Sequence, residues 1–494
     1  MQNDSHLKKK CNCCNRREFL KTSSLVLGYT GASLLIPPLT AKAATFNIRK
    51  KQGANVRAAF LYPPSKTFAD NPDGWWSWPG NDFDAEGRQR KYNDAIRKME
   101  KSLGMRIKTE NSSIANSEDA QRLAKELEAS QPDGLLLIMF YNRSLGEADL
   151  LLETAKKLNM PVVFFIGLGV KHGSIEHYRR PGVYFIQSLD NLKAIEYGMR
   201  MINAKKRIAQ STILSITDDK SARNAQDKFL GTNIRAISHA RYADVFNSVS
   251  VSGTVQETMK TITNKATEIR HVTKVALENA MRAHFALEKL LNDENADGVA
   301  MNCLRLGMLK PCISFSILNN KLIPAACEND IPAACTQILG QMLTQRPGFQ
   351  HNPCYETEKN HYYASHCTCP TKVYGPDGPE LKYLLRPYAH SNEGSCAIQV
   401  FWEPEDTVTM VRYYPGEKPA LDVYSGRVVK SHQMPPAGGC TTNVEIKITD
   451  REDACMVKGH HNLLFCGNLA RRFRLFAQLY KMELANTGYD NVYI

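Results

Sequence analysis

The chain has 494 residues, 43% of them hydrophobic, and its 63 Lys and Arg against 50 Asp and Glu give a formal charge of +13. That length and apolar share predict two or three folded domains with ample surface to bury. The charge does not mark a nucleic-acid binder: seven Lys or Arg and two acidic residues lie in residues 1–43, so +5 belongs there, and no basic run beyond alternates with aromatics.

The first element is an export signal. Asn15-Arg16-Arg17-Glu18-Phe19-Leu20-Lys21 precedes an uncharged, small-residue-rich stretch over 22–37, and Ala41-Lys42-Ala43 supplies a small-x-small cleavage pattern. This predicts recognition of Arg16 and Arg17 by the twin-arginine translocase, cleavage before Ala44, and a periplasmic or other extracytoplasmic destination. Asn15 departs from the usual Ser or Thr before the pair. The apolar run is too short to cross a bilayer stably; the alternative is an uncleaved anchor. Twin-arginine export moves folded proteins, so a metal acquired in the cytoplasm is an expectation. Three of the fourteen cysteines, Cys11, Cys13 and Cys14, lie in this segment and the others follow residue 300. The odd remainder leaves at least one thiol unpaired even where disulfides form.

From residue 56 to 216 short apolar strands alternate with amphipathic helices. Strands are predicted at Val56–Leu61, Gly134–Met139, Val162–Ile166, Val183–Ile186 and Ile213–Ile216, with helices such as Asp94–Leu103, Ser117–Ala129 and Gly146–Leu158 between them. Runs like Leu135-Leu136-Leu137-Ile138 fit strands buried on both faces of a parallel sheet. The loop after the first strand holds Trp75, Trp76 and Trp78. These rings suit stacking on the apolar face of a sugar, or alternatively a packing wedge. A second α/β unit is predicted from Lys206, with one or two long helices in Glu257–Asn292, strands at Gly298–Cys303 and Cys312–Leu318, and a helix at Ile331–Leu343. Past Tyr383 the pattern becomes antiparallel, with strands at Cys396–Trp402, Thr407–Tyr414, Leu421–Val429 and Asn443–Ile448 and a final helix at Leu469–Tyr480. The expected fold is therefore α/β: two doubly wound parallel-sheet domains, 44–205 and 206–380, then a β-rich, barrel-like domain over 381–494.

Ligand-type residues gather just after strands or tight turns, where a rigid scaffold carries its site. They are Cys327-Glu328-Asn329-Asp330, His351-Asn352, His366 and the pair His460-His461, of which only one is expected to face a site. A carboxylate, two imidazoles and an amide oxygen suit a divalent ion such as Mn²⁺. Cys367-Thr368-Cys369 lacks a second pair at ribbon or finger spacing, so the spacing does not predict a zinc site.

The chain resembles the L-fucose isomerase and L-arabinose isomerase superfamily over about 296–370 and 385–475. The matching pieces are Asp297-Gly298-Val299-Ala300-Met301-Asn302-Cys303, Ile323-Pro324-Ala325-Ala326-Cys327-Glu328-Asn329-Asp330 and Ser365-His366-Cys367, followed by His390-Ser391-Asn392-Glu393-Gly394, Asp406-Thr407-Val408-Thr409 and Gly459-His460-His461. The resemblance implies a metal-dependent aldose–ketose isomerase, commonly with Mn²⁺, working through an ene-diolate with two carboxylates that move a proton between C1 and C2. It implies Glu328 as the first carboxylate, His366 and His461 as imidazole ligands, Glu393 near the substrate, and a homo-oligomer as one assembly. The second carboxylate falls at Asn352, whose amide accepts no proton at neutral pH. Asp330, His351, Glu356, Glu358 and Glu393 are the neighbours that substitute for it if catalysis survives. The alternatives are a non-catalytic sugar-binding or sensing protein, or epimerisation or elimination in the same pocket. Export is a second departure, since familiar members of the superfamily work in the cytoplasm.

Overall fold

Runs of apolar residues with few polar interruptions form the first sheet. Its strands are β1 (Asn55–Leu61), β2 (Arg106–Thr109), β3 (Gly134–Met139), β4 (Val162–Gly167) and β5 (Val183–Ser188). In this computed structural model, residues 51–70, 80, 82–168, 170, 173–251, 253–388, 394–433 and 440–485 are described. The export segment with Arg16 and Arg17, the loop with Trp75, Trp76 and Trp78, and Glu393 lie outside the described residues. The sheet is wholly parallel in the order β2-β1-β3-β4-β5. Successive strand residues point to opposite faces. Leu136, Ile138, Val163 and Phe165 therefore pack with helices Ala85–Leu103 and Leu192–Ile208, while Leu135, Leu137, Met139 and Phe164 pack with helices Ser117–Ser130 and Leu145–Lys157. The sheet is doubly wound, as its two-sided burial predicts.

The second sheet contains β6 (Thr212–Ile216), β7 (Ala225–Gln226), β8 (Asn233–Ile237), β9 (Gly298–Met301) and β10 (Ala325–Cys327), in the order β10-β9-β6-β8-β7. All pairings are parallel except the short edge strand β7 against β8. Helices His239–Ser248, Lys274–Asp293 and Cys312–Asn320 cover one face, and helix Ile331–Thr344 covers the other. The predicted strand at Cys312–Leu318 is thus a helix. Nearly every side chain in it is buried. A segment of that length buried on all sides, its Ser314 and Ser316 included, carries no period to separate helix from strand.

The remaining strands are antiparallel except the short β19, and they begin earlier than the composition shift near residue 383. They are β11 (Gly348–Glu356), β12 (His361–His366), the hairpin β13 (Tyr383–Arg386) and β14 (Ala397–Val400), β15 (Thr407–Tyr414), β16 (Ala420–Ser431), β17 (Thr442–Ile448), β18 (Asn462–Cys466) and β19 (Glu483–Leu484). Six of them run β15-β18-β11-β12-β17-β16, and β16 pairs back onto β15 to close a barrel; β19 adds to β16 in parallel. Phe349, Tyr362, Val408, Met410, Tyr424, Val444, Ile446 and Leu464 share the apolar cluster of the barrel strands. Each such fully buried side chain contributes about 1.5–3 kcal/mol.

Helix Ile331–Thr344 ties the second sheet to the barrel. A side chain at Gly340 would place its Cβ 2.1 Å from the Phe465 ring, and one at Gly348 would place it 2.7 Å away. Two glycines therefore let the helix seat directly on β18, fixing the loop that enters it. At the far end, helix Ala470–Leu479 returns to the first sheet: Gln478 donates to the Val183 carbonyl at 2.9 Å, and Tyr197 donates to the Arg472 carbonyl at 2.8 Å. Its Phe473 and Phe476 are fully buried. Among the described residues no helix is long and apolar enough to cross a membrane.

Candidate functional site

The loop from β10 into helix Ile331–Thr344 carries Glu328, Asn329 and Asp330. Its backbone is strained: Glu328 has φ +59° and Asn329 φ +54°, the left-handed region that costs a side-chain-bearing residue about 1–3 kcal/mol. Four bonds over-determine it. The buried Gln350 amide on β11 accepts from the Cys327 N–H at 2.7 Å and donates to the Cys327 carbonyl at 3.2 Å. Ser215 donates to Asn329 Oδ1 at 2.9 Å, and Asp330 Oδ1 caps the helix through the Ala333 N–H at 2.8 Å. A loop held this way points one carboxylate, that of Glu328, away from the sheet and toward the barrel end.

The barrel end supplies the imidazoles. His366 closes β12, and His461 precedes β18 at φ +59°. The turn into His461 requires Gly459, at φ +95°, because a Cβ there would lie 2.7 Å from the Tyr414 hydroxyl. His366 Nε2 stands 3.6 Å from Glu328 Oε1 and His461 Nε2 stands 3.4 Å from Oε2, ion-pair separations rather than tight hydrogen bonds. The His461 Nε2 atom is buried without a hydrogen-bond partner among the described residues. Its other nitrogen, Nδ1, is 2.8 Å from Asp330 Oδ2, which also accepts from Arg412 at 2.9 Å; Arg412 in turn donates to the His461 carbonyl at 3.1 Å. An Nδ1–H donated to Asp330 leaves the Nε2 lone pair facing Glu328.

The charges follow from this geometry. His366 and then His461 hold the Glu328 carboxyl well below the usual carboxylate range, against the opposing effect of burial. Burial lowers the basicity of His366, but Glu328 with the neighbouring Cys327 and Cys440 outweighs it and raises the imidazole to about 9. His461 is likewise lowered by burial and raised further by Asp330 and Glu328. Burial raises Asp330, and His461 and Arg412 overcome it, so its carboxyl sits below the ordinary value.

Of the residues expected from sequence, Glu328, His366 and His461 are brought together. Asn352 lies on β11 opposite Ser365, so strand alternation turns it to the face opposite His366, and its Oδ1 is buried without a partner among the described residues. His460, expected to point elsewhere, joins the site: ligand atoms of Glu328, His460 and His461 lie within 4.8 Å of one another. The candidate replacements for the missing base fare differently. Asp330 is consumed by His461, Arg412 and the helix cap. His351 is fully buried, bonded to the Phe349 carbonyl at 3.0 Å and the Tyr362 hydroxyl at 2.8 Å, and burial lowers it to about 3. Glu356 is four residues along β11 from Asn352, ~13 Å on a strand rise. Glu358 is exposed in the turn beyond it. Beside the loop, at the carboxyl ends of β6 and β10, a cleft of about 530 Å³ is lined by Ser215, Asp219, Arg223, Asp227, Asn329 and Glu417 among others.

No protein-family model matches the chain, and no curated protein matches it. Among solved structures, a point mutant of the XylFII–LytSN complex is similar at 12% identity, covering 60% of this chain and 92% of its own, with a TM-score of 0.17. A score that low carries no argument about fold or function.

Proposed function

We infer that this is an exported, divalent-metal-dependent protein of the L-fucose/L-arabinose isomerase type, acting on a sugar by aldose–ketose isomerisation. The observation that carries the reading is the meeting of Glu328, from the second sheet, with His460 and His461, from the end of the barrel. An ionised carboxylate beside a buried, unpartnered imidazole nitrogen fits a borderline-hard ion such as Mn²⁺. Glu328, His461 and His460 would hold it, with His366 at the second Glu328 oxygen; Asn352, the neutral donor that the resemblance implies, sits on the other face of β11. A bound divalent ion supplies positive charge to oxygen anions on the sugar.

The proton work falls to the chain itself. Glu328 is the acceptor: ionised, partly exposed and aimed into the site. One carboxylate on one face of a planar intermediate takes a proton from one carbon and returns it to the next, so a single base suffices for that transfer, while the hydroxyl proton passes separately from O2 to O1. Asp330 fixes the His461 tautomer, and Arg412 fixes Asp330. Export through the twin-arginine route rests on Arg16 and Arg17 and places the activity outside the cytoplasm. A sugar-binding or sensing protein is the second reading, favoured by Asn352 and by the engagement of Asp330.

The deciding experiment is metal analysis of the mature protein after native export, followed by a sugar-panel isomerisation assay. Metal that disappears in Glu328→Ala, together with turnover, supports the isomerase. Metal without turnover on any sugar selects the binding reading. Neither metal nor sugar binding sinks both.

A further inference from the structure

A second group of ligand atoms lies behind the first, on the dry side of His366. Sulfur atoms of Cys327 and Cys367 and a ring nitrogen of His366 lie within 4.8 Å of one another. Cys367 Sγ is 3.7 Å from His366 Nδ1 and in side-chain contact with Cys327, Cys440 and Cys312. Cys303 Sγ adds to the edge of the group at 3.0 Å from Cys327 Sγ. These thiols come from separate places: the ends of β9, β10 and β12, the start of helix Cys312–Asn320, and the approach to β17. All five are buried, and none is disulfide-bonded.

We propose that Cys327, Cys367 and Cys440 with His366 Nδ1 form a structural zinc site. Tetrahedral zinc with ligands at about 2.3 Å for sulfur and 2.0 Å for nitrogen spaces its donors roughly 3.5–3.8 Å apart; Cys367 Sγ and His366 Nδ1 already stand at 3.7 Å, Cys327 lies within 4.8 Å of both, and Cys440 joins through its contact with Cys367. Three sulfurs and one imidazole suit zinc over a harder ion. The other nitrogen of His366 faces Glu328 at 3.6 Å, the carboxylate–histidine arrangement that orients an imidazole on a metal.

The local charge points the same way. Three thiolates around Zn²⁺ carry a net charge of minus one, which a dry pocket does not tolerate alone. Lys310 is 4% exposed and ion-paired to no carboxylate among the described residues. Its ammonium donates to the carbonyl of Cys303 at 2.9 Å and of Leu304 at 2.6 Å, and lies 4.7 Å from the Tyr388 ring centroid. A zinc–thiolate anion beside Cys303 is the counter-charge that this buried lysine otherwise lacks. The site shares the His366 ring with the Glu328–His461 reading but binds through its other nitrogen, and it braces the strand ends that carry Glu328 and His366.

The test is elemental analysis of the mature protein from cells grown with zinc. About one zinc per chain is expected, retained through dialysis against a chelator and released when a mercurial titrates the thiols. Cobalt loaded in its place should show sulfur-to-cobalt charge-transfer absorption in the near ultraviolet. Cys367→Ser should lose the zinc, whereas Cys466→Ser, outside the group, should keep it. If Cys367→Ser does not fold, the cobalt spectrum of the unaltered chain decides the matter. Absence of zinc with freely titrating thiols, a cobalt form without charge-transfer bands, or a Cys303–Cys327 disulfide in the mature protein would overturn the proposal.

Discussion

Asp330→Asn tests how the site is held. Asp330 has three partners: the Ala333 N–H on Oδ1 at 2.8 Å, and Arg412 at 2.9 Å and His461 Nδ1 at 2.8 Å on Oδ2. Asparagine keeps the helix cap, because its oxygen accepts from the same N–H. It replaces the charged oxygen with a donor that faces two donors. Both members of the Asp330–Arg412 pair have side chains only 11% exposed. Removing one partner of a buried pair costs about 3–5 kcal/mol. The retained cap and the Arg412 bond to the His461 carbonyl hold the loss near the lower end, about 3 kcal/mol. Freed from its acceptor, His461 no longer fixes its lone pair on Nε2, and loss of such an orienting carboxylate weakens metal binding about 10–100-fold. Urea unfolding measures the first effect and calorimetric Mn²⁺ titration the second. A variant within about 1 kcal/mol of the natural protein and of equal Mn²⁺ affinity would refute the reasoning, since Asp330 would then neither brace the loop nor orient the ring.

Gln350→Leu removes both side-chain bonds to the Cys327 backbone and should cost about 2–4 kcal/mol in urea unfolding while lowering metal content. His284 is fully buried beside Ser314 and Glu288, and burial lowers it to about 4 from 6.5. The unfolded chain takes up that proton first. Stability is therefore complete above pH 6.5 and falls by about 3 kcal/mol as pH drops toward 4, a slope that His284→Gln should flatten in acid-limb unfolding curves. Arg16→Lys with Arg17→Lys should leave the longer precursor in the cytoplasm on fractionation, because the signal depends on guanidinium groups and not on charge alone. Asn352→Asp tests the resemblance at this position: tighter Mn²⁺ binding in calorimetric titration would put the side chain at the metal, whereas unchanged binding is expected from its place on the face opposite His366.

Short apolar runs alternating with amphipathic helices made the first sheet legible, because each of its faces packs against helices. That pattern failed where burial was uniform, as in helix Cys312–Asn320. It failed again at β11 and β12, where Gln350, Asn352, Ser365 and His366 interrupt the apolar pattern. Glu328, His366 and His461 were legible through motif resemblance. His460 was not, since adjacent residues on an extended strand face opposite ways, and only the left-handed turn at Gly459 and His461 breaks that rule. The thiol group was hidden for a related reason. Its cysteines are scattered over strand ends and a helix start, so no local spacing announces them, and only the packing of the sheet against the barrel assembles them.

The return of helix Ala470–Leu479 to the first sheet has a consequence for biosynthesis. Gly182 donates its N–H to the Gln478 carbonyl at 2.9 Å, and Lys481 reaches the Asn159 side-chain oxygen at 2.6 Å. The earliest sheet to leave the ribosome thus lacks its last partner until nearly the whole chain has been made. A truncated chain would present the seam around Val183 uncovered, with Phe473 and Phe476 missing from the cluster they fill. On the proposed twin-arginine route, which carries folded proteins, that clasp would act as a proofreading mark: only a polypeptide made through residue 481 can close it.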